Sequence, residues 1–131
     1  MERFGYMVET SNGWECPHEK LFLNLVDCVR HAISQKCIVT YFKIMSNSRI
    51  ITELHTESSD DQYGYIILHL MPPFEYFTIC THSTKFFTNV LDGILECKTI
   101  ALDEIDHPSF RSRIGYFKKL SSDDIMKELH M

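Results

Sequence analysis

The sequence predicts an α+β fold, a two-layer sandwich of a mostly antiparallel sheet with two helices on one face. Three observations predict it. Apolar residues recur at helical spacing in two stretches, 18–35 and 85–95. Runs rich in β-branched and aromatic residues lie between them. Short polar or proline turns separate those runs, and short turns join antiparallel neighbours. The predicted order is β-α-β-β-β-β-α-β.

Each element follows from local chemistry. Residues 4–10 read as a first strand, closed by Ser11-Asn12-Gly13. Pro17 suits the first turn of a helix. That helix would span 18–35, with Leu21, Phe22, Leu25, Val26, Val29, Ala32 and Ile33 along one stripe. Residues 37–44 are strand-like, Ser46-Asn47-Ser48 makes a turn, and 49–55 returns as the second arm of a hairpin. Residues 56–62 are polar and acidic, a loop. Residues 63–71 form the next strand, ended by Pro72-Pro73, and 75–81 another. Phe86, Phe87, Val90, Leu91, Ile94 and Leu95 mark the second helix, 85–95. Residues 99–103 read as a short closing strand. Residues 104–131 read as a C-terminal extension of a single domain, 1–131. It ends in a helix over 121–129, with Ser121 or Ser122 as N-cap and Asp123 and Asp124 in the first turn. No internal repeat is apparent. Ile67 and Met71 alternate with Ile66, Leu68 and Leu70, so the central strand is apolar on both faces. A second copy, sheet against sheet, would cover the face that helices leave open.

Composition narrows the function classes. The 131 residues are 44% hydrophobic and 12% aromatic, enough for one domain with a core. Eighteen acids against 13 bases give a net charge of −5. That balance argues against a partner held through phosphate contacts, so no nucleic acid is expected. The local basic patch of Arg111, Arg113, Lys118 and Lys119 reads as a solvated face. Five scattered cysteines, none in a Cys-x-x-Cys pair, point to a reducing compartment and to no metal site. With no leader-like or membrane-length apolar run, a cytoplasmic protein with no membrane partner is expected.

Residues 57–76 carry the chemistry. Glu57-Ser58 lies in a turn before the apolar strand. His69 lies near that strand's end, where a histidine can serve as proton donor or acceptor. Phe74, Tyr76 and Phe77 offer aromatic faces, and Glu57, Glu75 and Asp61 offer carboxylates. Cys16-Pro17-His18 offers two metal ligands with no second pair to complete a site.

Thr56-Glu57-Ser58-Ser59 and the run Ile66-Ile67-Leu68-His69-Leu70-Met71-Pro72-Pro73-Phe74-Glu75-Tyr76 resemble motifs of the S-adenosylmethionine decarboxylase family. The resemblance covers most of residues 4–103. It implies half of a four-layer sandwich, completed by pairing two sheets in a homo-oligomer. It also implies self-cleavage between Glu57 and Ser58, with Ser58 becoming a pyruvoyl cofactor. His69 would act as acid or base, and His82 stands where the family has its catalytic cysteine. Glu57, Glu75, Phe74 and Tyr76 would hold the small-molecule substrate. The expected function is therefore an enzyme acting on S-adenosylmethionine or a close derivative, as in polyamine biosynthesis. Two alternatives stand beside it. One is a cofactor-free lyase that splits the sulfonium, a good leaving group that positioning alone could activate. The other is a non-catalytic regulatory or interaction subunit of the same fold.

Overall fold

The computed structural model describes residues 3–56, 60–71, 76–104 and 112–130. The elements are β1 (Phe4–Thr10), β2 (Gly13–Glu15), α1 (Leu25–Ala32), β3 (Val39–Ile44), α2 (Asn47–Glu53), β4 (Tyr63–Met71), β5 (Tyr76–His82), α3 (Val90–Glu104), β6 (Ser112–Lys119) and α4 (Ser122–Leu129). The fold is α+β with one six-stranded antiparallel sheet, ordered β2-β1-β3-β6-β4-β5.

That strand order reads the same from either edge. The chain is a ββαβα unit made twice, and β3 and β6 pair where the units meet. The expectation of no repeat is thereby corrected. Equivalent residues do equivalent work. Asn24 caps α1 by accepting from the Asp27 N–H at 2.9 Å, and Asn89 accepts from the Asp92 N–H at 2.9 Å. Ser46 and Ser121 cap α2 and α4. Phe42 packs over Gly5, where an added Cβ would lie 2.3 Å from the ring, and Phe117 packs over Gly64 in the same way. These two rings stack on each other at a centroid distance of 4.2 Å in the centre of the molecule.

The sheet curls until its edges nearly meet. The Trp14 N–H donates to Thr84 O at 2.8 Å, and the equivalent Ile79 N–H donates to Glu19 O at 2.7 Å. Met7, Phe42, Ile66, Leu68 and Phe117 therefore bury against one another on the inner face. The outer face carries the helices. Phe4, Tyr6 and Val8 pack with α1 and with Ile125 of α4. Tyr63, Tyr65 and Ile67 pack with α3 and with Ile50 and Leu54 of α2.

Several expectations change. Among the described residues four helices, not two, cover the sheet. Residues 49–55 were expected as a strand, but Ser46 caps a helix there and Ile50 and Leu54 share its buried side. The first helix starts at Leu25 rather than 18, because Phe22 bonds to Phe4 as an extension of the sheet. Phe87 bonds to Tyr63 likewise, so α3 starts at Val90 and runs through 99–103, where a strand was expected. Residues 112–119 form a central strand. The sheet's own curl buries much of the apolar second face.

Candidate functional site

A cavity of about 560 Å³ opens at one mouth of the curled sheet. Its size suits a small organic ligand. Leu21, Ile44, Leu68 and Phe77 form its apolar floor, and Ser46 and Asn47 its polar rim. Arg3 and Arg113 supply the charge, and none of the described lining residues is acidic.

Strand geometry sets both arginines. Arg113 lies opposite Leu68 and on the same face of β6 as Phe117, so it projects from the mouth above the inner core. Arg3 precedes β1 and is held by its backbone: its N–H donates to Phe22 O at 2.9 Å, and its carbonyl accepts from the Ile44 N–H at 2.8 Å. Both side chains are exposed. A second cavity of about 450 Å³ shares Arg3 and Ser46 with the first. It adds Lys43, Lys118, Lys119 and Lys127 against Asp124 and Glu128. A chain of net charge −5 thus gathers positive charge at one end of its sheet.

The residues expected from sequence lie elsewhere. Glu57, Ser58, Phe74 and Glu75 fall outside the described residues. His69 stands opposite Ser112 and Thr78, on the face of β4 that also carries Ile67. His82 stands opposite Ile66, on the other face, so the two histidines do not converge. The His82 ring is committed: Nδ1–H donates to Ser83 O at 3.0 Å, and Nε2 accepts from the Cys16 N–H at 3.3 Å. Tyr76 has the Lys20 ammonium 3.6 Å above its ring, which occupies one of the faces offered for a ligand.

Comparison with protein-family models, curated proteins and solved structures finds no match. The site therefore stands on its own geometry.

A second polar cluster lies in the segment between β2 and α1. His18 is buried; its Nδ1–H donates to Lys20 O at 2.8 Å and its Nε2 accepts from the Tyr6 N–H at 3.0 Å. Burial pushes its pKa down to about 4, so the ring is neutral. Cys16 Sγ lies 3.3 Å from the same Nε2, and burial pushes this thiol up to about 12. A protonated thiol beside a neutral, bonded imidazole is no activated nucleophile. In the second unit Ser83 Oγ takes the place of His18 and accepts from the Tyr65 N–H at 3.2 Å. The shared role is to satisfy a strand amide. No group of three or more potential ligands able to hold a metal ion occurs among the described residues. No helix among them is long and apolar enough to cross a membrane.

Sequence reasoning passed over Arg3 and read Arg113 as part of a solvated patch. The available signal was the alternation Arg113, Gly115, Phe117, which marks one face of a strand.

Proposed function

We propose that this chain binds an anionic ligand with an apolar body in the cavity between Arg3 and Arg113. The observation that carries the reading is a cavity with an apolar floor, bordered by the exposed side chains of Arg3 and Arg113. Arginine forms forked, charge-assisted bonds to carboxylate or phosphate. Leu21, Leu68 and Phe77 would bury the apolar part at roughly 25 cal/mol per Å². Thermal shift against octanoate, hexyl phosphate and S-adenosylmethionine tests it. Stabilisation by either anion is expected, and stabilisation by S-adenosylmethionine alone overturns it.

A second reading keeps the chain among enzymes acting on S-adenosylmethionine or a close derivative. It is favoured by the strand pair that carried the resemblance, Tyr63–Met71 with Tyr76–His82. Intact mass tests the pyruvoyl step: one species near 15.4 kDa removes it, and two fragments divided at Glu57–Ser58 support it. Methylthioadenosine released without carbon dioxide would instead mark the lyase.

A further inference from the structure

The two mouths of the curled sheet are built alike but filled differently. Leu21-Phe22 of the first unit corresponds to Phe86-Phe87 of the second, just before the Asn24 and Asn89 caps. Phe22 bridges to Phe4 and Phe87 to Tyr63, and both pack in the outer layer. Alternation then turns Leu21 and Phe86 to the inner core, where both are buried.

At the mouth that holds Phe86, aromatic rings close the core. Phe86 meets Phe117 edge-on at a centroid distance of 6.1 Å, and Trp14 at 5.2 Å. At the other mouth the corresponding positions hold Leu21, Phe42 and Ile79. Trp14 and Ile79 correspond because their N–H groups make the matching bonds that close the sheet, to Thr84 O and Glu19 O. Leucine thus stands for phenylalanine and isoleucine for tryptophan, so less side-chain volume fills this mouth from within. The cavity of about 560 Å³ lies here, with Leu21 in its floor, and Phe77 lines it without closing it. Protein interiors are otherwise close-packed.

We infer that the ligand ends in an aromatic ring, which seats against Leu21 and edge-on to Phe42, as Phe86 seats against Phe117 at the other mouth. The ligand class is an aryl-substituted acid, with Leu21 as the residue that leaves room for the ring. This rests on the anion-binding reading above and names the class of ligand. It predicts a preference for ring over chain, which an apolar floor of no fixed shape does not impose.

The test titrates 4-phenylbutanoate and octanoate into the full chain and into Leu21→Phe, which copies the filled mouth. The aryl acid is expected to bind the unaltered chain about fivefold or more tighter than octanoate does. Its ring current is expected to move the NMR signals of the Leu21 methyl groups, which octanoate leaves in place. Leu21→Phe is expected to weaken the aryl acid about tenfold or more. Should that variant not fold, the methyl signals of the unaltered chain decide. If octanoate binds and the aryl acid binds no tighter, or does not move the Leu21 signals, the inference is overturned and the anion reading stands. Unchanged affinity in a folded Leu21→Phe overturns it as well. If neither acid binds, both are overturned.

Discussion

Lys43 of β3 and Lys118 of β6 lie directly opposite each other, on the axis that relates the two units. Like charges so placed repel. Each lysine is answered by a glutamate from the other unit. Glu128 of α4 lies 2.5 Å from Lys43 Nζ, and Glu53 of α2 lies 3.1 Å from Lys118 Nζ. The helices that close the outer layer are thus tied to the sheet across the axis.

The two pairs are not equal in strength. Glu53 is buried and also accepts from the Tyr63 hydroxyl at 2.5 Å and pairs with Arg49 at 3.0 Å. Its counterpart Glu128 is more exposed, and Phe4 stands where Tyr63 would be. Glu53→Gln should cost about 1–3 kcal/mol, since it strands buried donors. Glu128→Gln should cost less than about 1 kcal/mol. Urea unfolding of both variants measures the gap, and equal losses would show that burial does not separate the pairs.

Acid should weaken the fold in two stages. Burial depresses the His18 pKa to about 4, below its ordinary value of 6.5. The unfolded chain therefore binds a proton that the folded chain refuses. Stability is complete above about pH 6.5 and falls toward pH 4, by at most about 1.4 kcal/mol per pH unit. Glu53 acts lower. Burial alone would raise its pKa, but Tyr63, Lys118 and Arg49 hold it below the usual carboxylate range. Its contribution is lost as pH falls through that depressed value. His18→Ser, which borrows the hydroxyl of Ser83, should flatten the upper stage only. Unfolding midpoints from pH 7 to pH 4.5 in both proteins check this; parallel curves would contradict it.

Close approach at two glycines should be equally unforgiving. A Cβ on Gly5 would lie 2.3 Å from Phe42 Cζ, and one on Gly64 would lie 2.3 Å from Phe117 Cζ. Either Ala substitution should cost about 1–3 kcal/mol or more through overpacking at the central ring stack. Gly64→Ala with Phe117→Leu should recover part of the loss relative to Phe117→Leu alone. A double-mutant cycle measures that coupling, and strict additivity would show that the ring is not the obstacle.

Much of the fold was legible where one local signal acted alone. The strand over 63–71 and the helix after Ser121 are as the sequence predicts, because a short apolar run ended by prolines and a serine N-cap need no distant partner. Residues 49–55 misled because Ile50 and Ile51 favour strands, while the Ser46 cap and packing against Ile67 and Ile114 decided for helix. The residues before α1 and α3 look helical, yet bonds from Phe22 and Phe87 to distant strands claim them. The repeat escaped notice because few identities survive, chiefly Tyr41-Phe42-Lys43 against Tyr116-Phe117-Lys118. The cavity was illegible for a related reason: Arg3 and Arg113 come to line one cavity only through sheet curl and strand order.

Calorimetric titration of octanoate into the unaltered chain, Arg3→Gln and Arg113→Gln is the most direct measurement of the proposed site. Saturable binding by the unaltered chain, weakened about tenfold or more in each variant, is the expected result, since a charge-assisted hydrogen bond is worth about 1.5–3 kcal/mol. No heat with the unaltered chain, or equal affinity in all three proteins, would contradict it.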